Sequence, residues 1–153
     1  MTLDLDIQRM IFDSKLPSDE QFETWTKLAL KMGGCEGDSQ LAIRIVDEDE
    51  GKKLNKQWRH KDYPTNVLSF SMSGLELIAP EILGDIVICA PVVTTEATEQ
   101  SKSLHMHWAH MVIHGVLHLL GYDHSIEEDA EKMEGLETII MKQLGFPDPY
   151  QPV

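Results

Sequence analysis

The chain has 153 residues, which is long enough for one domain with an ordinary hydrophobic core. Apolar residues make up 42% of it, and its formal net charge of -13 argues against unaided binding to nucleic acid. Neither a signal peptide nor a transmembrane segment is visible, because the longest apolar run, 86–93, is far too short to cross a bilayer. We therefore expect a single domain over residues 1–153, located in the cytoplasm.

The first half of the chain alternates strand and helix patterns. Apolar and polar residues alternate over 3–8, as in a half-buried strand, and Ser18 and Gln21 form a capping box that opens a helix. A second strand is predicted over 41–46, followed by a helix over about 48–60 that starts in an acidic run. This region contains the only concentration of positive charge, formed by Lys52, Lys53, Lys56, Arg59 and Lys61.

The second half begins with two strand patterns and continues with three helices. Strands are predicted over 67–72 and 83–89, with a loop or hairpin arm over 73–80 between them. Cys89 is interpreted as a small core residue, because the two cysteines have neither metal-binding nor disulfide spacing. Helices are predicted over 92–100, across the histidine-rich stretch after 103, and from a capping box at Ser125 and Glu128 to Gly145.

The predicted order of elements is βαβαββααα, and every strand pattern is short. This order favours an α+β fold, with one small mixed sheet of about four strands and the histidine-bearing helix packed on it.

Three histidines mark the chemically most informative stretch. His114 and His118 are four residues apart, so on a helix they lie on one face with about 5–6 Å between their Cβ atoms. Gly121 suits the left-handed position that ends many helices, and the turn there can bring His124 back to the same point. Three neutral imidazoles that leave a fourth position open are typical of catalytic zinc sites. The spacing therefore predicts one metal ion held by His114, His118 and His124.

His110 forms a second row with His114 and His118. Because a helix rises about 1.5 Å per residue, His110 and His118 lie roughly 12 Å apart, too far to share one ion. We therefore interpret His110 as a supporting, substrate-facing or merely packed residue. The helix is apolar nearly all round and should be buried.

The same spacing matches the H-E-x-x-H-x-x-G-x-x-H pattern of metzincin peptidases, with one departure. The general-base glutamate of those enzymes is replaced by Gly115. A glycine in a helix suggests that another backbone, or the substrate, comes close to it. The acidic residues that follow are interpreted as a solvated helix face: Asp123, Glu127, Glu128, Asp129, Glu131, Glu134 and Glu137.

The stretch His114-Gly-Val-Leu-His-Leu-Leu-Gly-Tyr-Asp-His124 resembles the H-G-x-L-H-L-x-G-Y-D-H signature of the bacterial rRNA maturation factors called YbeY. Two further stretches are similar to that family, Pro64–Phe70 and Leu83–Cys89. One departure is Ser71, where the family usually has proline, and it lies outside the histidine motif.

The resemblance implies a metal-dependent endoribonuclease acting on single-stranded RNA. Its implied role is small-subunit rRNA maturation, including 3′ end processing, and ribosome quality control. It also implies a fold related to zinc peptidases, one zinc ion per chain on His114, His118 and His124, and a functional Arg59. Nickel is an alternative metal. The expected partners are precursor rRNA and the small ribosomal subunit or its assembly proteins, with no DNA and no membrane.

The chemistry agrees with this resemblance. Zinc lowers the pKa of bound water to about 7 and polarises a phosphoryl oxygen, and Arg59 offers a bidentate fork to phosphate. Asp123 either orients a ligand or accepts a proton, or it is a turn residue that caps the last helix. Two alternatives stay open, a zinc-dependent peptidase-like hydrolase and a non-catalytic ribosome-assembly factor with a structural zinc.

Overall fold

The computed structural model describes residues 2–72 and 78–151. Its element order confirms the predicted βαβαββααα pattern, while residues 73–77 of the predicted loop lie outside the described part. No helix in the described part is long and apolar enough to cross a membrane. The elements are β1 (Leu3–Arg9), α1 (Asp19–Met32), β2 (Ser39–Val46), α2 (Glu48–Arg59), β3 (Val67–Ser71), β4 (Ile82–Cys89), α3 (Ala90–Glu99), α4 (Leu104–Leu119) and α5 (Glu127–Gln143).

The four strands form one mixed sheet in the order β1-β2-β4-β3. β1, β2 and β4 run parallel, which their helical connections allow, and β3 pairs antiparallel with β4. The predicted α+β fold with a four-stranded mixed sheet is thereby confirmed. β3 is an edge strand of this sheet.

The two faces of the sheet carry different helices. Side chains alternate along a strand, so Ile86 and Ile88 of β4 face one way and Val87 and Cys89 the other. The isoleucines join the main core with α1, α4 and α5, whereas Val87 and Cys89 form a smaller cluster with Leu54 of α2. The sheet therefore separates α2 from α4. Cys89 is a buried free thiol, which confirms its interpretation as a small core residue.

Helix α4 lies at the centre of the main core. Its apolar residues are buried on almost every side, as the all-round apolar pattern predicts. The Trp108 indole packs edge-on against Phe22 of α1, with 5.8 Å between the ring centroids. Helix α4 therefore provides a rigid base for the histidines that it carries.

Gly115 allows α4 to approach the sheet closely. A Cβ atom at this position would lie 2.8 Å from Cγ2 of Ile86, and the Gly115 carbonyl accepts a hydrogen bond of 3.2 Å from Ser69 Oγ. The close approach expected at this glycine is that of the sheet, whose Ile86 side chain fills the space a Cβ atom would occupy.

The helix ends follow the sequence signals with one exception. Ser18 and Gln21 form the predicted capping box of α1. The predicted box at Ser125 is wrong, because α5 is preceded by Ile126 and has no side-chain cap. The Ser125 hydroxyl instead donates to the Asp123 carboxylate, 2.9 Å away.

Candidate metal centre

The structure brings the three predicted histidine ligands together. Nitrogen atoms of His114, His118 and His124 lie within 4.8 Å of one another. The ring centroids are 4.5 Å apart for His114 and His118, 4.9 Å for His118 and His124, and 5.4 Å for His114 and His124. His124 is about half exposed, so the cluster opens towards solvent on that side.

A left-handed turn at Gly121 places His124. The φ angle of Gly121 is 99°, a conformation that favours glycine. Its N–H donates to the His118 carbonyl, and the next N–H, from Tyr122, donates to the Leu117 carbonyl. These two bonds are those of a Schellman motif. The sequence signal at Gly121 therefore produces the predicted reversal of the chain.

The Asp123 side chain stabilises this turn by accepting hydrogen bonds from the two residues that follow it. Its Oδ1 accepts the backbone N–H of His124 at 2.7 Å, and its Oδ2 accepts the Ser125 hydroxyl. These hydrogen bonds, led by that from Ser125, hold the pKa of Asp123 below its ordinary value. The arrangement favours Asp123 as a turn residue, although it caps the turn and not helix α5.

The donor set fits a transition metal ion. The facing Nε2 atoms of His114 and His118 are 3.1 Å apart, close to the spacing of about 3.3 Å that two nitrogens share on a tetrahedral zinc ion. Burial, together with the neighbouring His114 and His124, lowers the pKa of His118 to about 4, so its ring is neutral at pH 7. Two neutral imidazole nitrogens that face each other at this distance share either a proton or a metal cation.

Glu137 of α5 contacts the opposite nitrogen of His114. Its side chain is completely buried, and Oε1 accepts a hydrogen bond from His114 Nδ1. Burial by itself raises the pKa of this carboxyl, but the imidazoles of His110 and His114 outweigh it and lower the pKa to about 2. Since an ionised carboxylate only accepts, the His114 proton lies on Nδ1, which leaves Nε2 free for a metal.

The interpretation of Glu137 as part of a solvated face is therefore wrong. The signal that could have identified it is periodicity, because Met133, Glu137, Ile140 and Leu144 are spaced as one apolar stripe of α5. An acidic residue within such a stripe points into the core, where it needs a partner.

His110 is a packed residue beside this carboxylate. It is 6% exposed, and its Nε2 lies 3.3 Å from the Tyr150 hydroxyl and 3.7 Å from Glu137 Oε1. His110, His114 and Glu137 also form a group of potential ligands. The direct contact between His114 and Glu137 identifies this group as a hydrogen-bonded network.

A second, partly buried network supports the segment before β3. Glu96 of α3 accepts hydrogen bonds from the Asn66 amide at 3.0 Å and from His107 Nε2 at 2.9 Å. Burial alone raises the pKa of Glu96, but these two bonds outweigh it and lower the pKa. Asn66 and Val67 thus form one wall of a cavity of about 270 Å³ beside His110, His114, His124, Glu137 and Tyr150.

Arg59 lies away from this cavity. It is the last residue of α2, it is exposed, and α2 packs on the sheet face opposite α4. Within residues 2–72 and 78–151, Arg59 is not among the residues that line the cavity of the histidines. The neighbouring Trp58 packs its ring against Phe70 of β3, with 5.8 Å between the centroids.

Residues 8–145 match the sequence family Endoribonuclease YbeY. The chain belongs to this family. An Endoribonuclease YbeY of Pseudomonas fluorescens is 56% identical over 149 residues, covering 97% of this chain and 96% of the relative. The relative in Pseudomonas putida is 54% identical, with 97% and 93% of the two chains covered.

The fold is also similar to a solved structure. The solution structure of TM1509 from Thermotoga maritima superposes with a TM-score of 0.60 at 25% identity, covering 98% of this chain and 99% of that one. The histidine cluster lies within the part of the chain that matches the YbeY family. The three histidines that converge in the structure are therefore part of the stretch that matches the family.

Proposed function

We propose that this YbeY-family chain is a zinc-dependent endoribonuclease that cleaves single-stranded RNA. The observation that carries the proposal is the convergence of three imidazoles, two of them with nitrogens facing each other at 3.1 Å. The relatives in Pseudomonas are named endoribonucleases, which supports RNA as the substrate. Nickel remains the alternative metal.

In the proposed centre, His114, His118 and His124 hold one Zn²⁺ ion. When bound, the ion supplies a Lewis acid for a phosphoryl oxygen. Glu137 fixes the proton of His114 on Nδ1, and Asp123 holds the turn that carries His124. Both acidic residues thus act by orienting ligands.

Arg59 is proposed as the residue that contacts the RNA phosphate. Support comes from its exposure and from the family resemblance, since a guanidinium binds phosphate oxygens in a bidentate way. Because α2 lies across the sheet from α4, an RNA strand would have to pass around the β3 edge to contact both Arg59 and the histidines. This path suits an extended single strand.

The cellular role follows from the same family membership. We propose small-subunit rRNA maturation, including 3′ end processing and quality control, by one cytoplasmic domain over 1–153. The net charge of -13 supports a need for ribosomal protein partners, because a net-negative chain repels RNA. DNA and membranes are not proposed as partners.

The peptidase alternative is disfavoured by the packing of Gly115. Metzincins need a glutamate here, but a Cβ would already lie 2.8 Å from Ile86. A larger side chain therefore has no room without movement of the sheet.

The test compares substrates and metal content in one preparation. Wild-type protein with Zn²⁺ should cleave a single-stranded RNA, leave casein intact, and lose cleavage on chelation. His118→Ala should be inactive and His60→Asn active, since His60 lies outside the cluster in a left-handed cap that asparagine tolerates. Casein cleavage would favour the peptidase. Stoichiometric zinc without any RNA cleavage would favour an assembly factor.

A further inference from the structure

The C-terminal segment after α5 returns to the metal centre. The Tyr150 hydroxyl donates to Glu137 Oε2, while Glu137 Oε1 accepts from His114 Nδ1. The segment is held in place by Lys102 Nζ, which donates to the Pro149 carbonyl at 2.5 Å, and by the Tyr150 N–H, which donates to Asp148 at 2.9 Å. Tyr150 therefore lies two hydrogen bonds from a proposed ligand, beyond residue 145 where the family match ends.

Glu137 depends on both of these partners. Its side chain is 0% exposed, and a buried carboxylate is stable only when its oxygens accept hydrogen bonds. Each oxygen has one such donor, so the plane of the carboxylate is defined from two sides. If Tyr150 lost its hydroxyl, Oε2 would keep no direct donor among the described residues.

We propose that Glu137 and Tyr150 are positioning residues that hold His114 in the orientation and tautomer required for metal binding. The inference rests on the proposed metal centre and adds the C-terminal segment to it. Glu137 keeps the His114 proton on Nδ1, so the Nε2 lone pair faces His118. Tyr150 keeps the carboxylate from rotating away from His114.

Tyr150 is suited to this role because it stays protonated. Partial burial raises the pKa of its phenol, and the negative charge of Glu137 raises it further. The hydroxyl is thus a permanent donor at physiological pH. Its oxygen in turn lies 3.3 Å from His110 Nε2, which can donate to it. The chain of contacts therefore runs from His110 through Tyr150 and Glu137 to His114.

The test measures Zn²⁺ affinity of full-length proteins by competition with a chromophoric chelator. Glu137→Gln should weaken Zn²⁺ binding about 10–100-fold, as is usual when the partner of a ligating histidine is altered. Tyr150→Phe should weaken it about fivefold, the factor expected for one net hydrogen bond. The matched controls, Glu131→Gln on the exposed side of α5 and Tyr63→Phe in an exposed loop, should bind like wild type.

A second readout separates positioning from general stability. The absorption bands of the Co²⁺-substituted protein report the ligand field, so Glu137→Gln should shift them while the controls do not. If Glu137→Gln does not fold, Tyr150→Phe alone provides the test. The Tyr150 ring is 43% exposed and the substitution removes only its hydroxyl, so this variant is expected to fold.

Three outcomes would overturn the inference, and they are distinguishable. Wild-type Zn²⁺ affinity and Co²⁺ bands in folded Tyr150→Phe and Glu137→Gln would refute the positioning role alone. Failure of the wild-type protein to bind stoichiometric Zn²⁺ would refute the proposed metal centre as well. A lowered melting temperature of the metal-free variants with unchanged Zn²⁺ affinity would also refute the positioning role, since it would indicate that these residues only stabilise the fold.

Discussion

Helices α4 and α2 carry most of the proposed chemistry, but they hold their side chains in different ways. The His114 and His118 rings of α4 are partly buried and contact each other, and Glu137 holds one of them. On α2, Lys53 and Arg59 are exposed and have no side-chain partner among the described residues.

This difference shows that burial determines how firmly a structure fixes the position of a functional side chain. A buried polar atom without a partner costs about 1–3 kcal/mol, and the His114 and His118 rings of α4 have defined neighbours. An exposed cation stays solvated and its interactions are screened within about 10 Å, so its position depends on what it binds. We therefore expect changes to the His114 and His118 side chains of α4 to affect metal content, and changes to the exposed cations of α2 to affect RNA alone.

The largest expected effect is on metal content. His114→Ala and His124→Ala should each lose stoichiometric zinc and, with it, cleavage, because two imidazoles cannot complete the centre. Elemental analysis of the purified proteins gives the metal content. Retention of zinc by His124→Ala together with its loss in His110→Ala would show that His110 is the third ligand.

The next largest effect should appear on α2 without any loss of metal. Arg59→Ala should keep its fold and its zinc but lower the cleavage rate about 10²–10³-fold, the usual loss for one donor to a charged transition state. Arg59→Lys should recover only part of the lost cleavage rate, since lysine lacks the planar, bidentate guanidinium group. The measurement is the cleavage rate of each variant under saturating RNA, with its zinc content determined in parallel. A normal rate for Arg59→Ala would leave Arg59 as a surface charge only.

A smaller effect concerns the packing of α4 on the sheet. Gly115→Ala should lower the free energy of unfolding by about 1–3 kcal/mol, because its methyl group overlaps Ile86. Gly135→Ala on exposed α5 is the matched control, since nothing lies within 4 Å of a Cβ there. It should raise stability by about 0.5–1 kcal/mol through helix propensity. Urea unfolding measures both, and equal signs for the two variants would contradict the close contact.

The smallest expected effect is a screened one. Lys53→Ala should weaken RNA binding modestly, leave zinc unchanged, and reduce the slope of log affinity against log salt by about 1. Binding titrations at several salt concentrations test this. An unchanged slope would indicate that this lysine does not approach the RNA backbone.

Much of the fold could be predicted because its signals are local. Alternating residues, the Ser18 capping box and the glycine at 121 each act over a few positions, and all three appear in the structure. The capping box at Ser125 failed because α5 begins one position later, so that Ile126 and not Ser125 is the N-cap residue. The spacing of His114, His118 and His124 predicted their convergence for the same local reason, a helix followed by a left-handed turn.

The sequence by itself thus determined the elements, their order and the three converging histidines. Only the tertiary structure decided which other side chains support these histidines through hydrogen bonds. Glu137 meets His114 across 23 positions of sequence, and Tyr150 arrives from the C-terminal segment. The side of the sheet on which Arg59 lies depends likewise on how α2 packs. Such contacts join elements that are distant in the chain, so they follow from the packing of one shared core and from no local pattern.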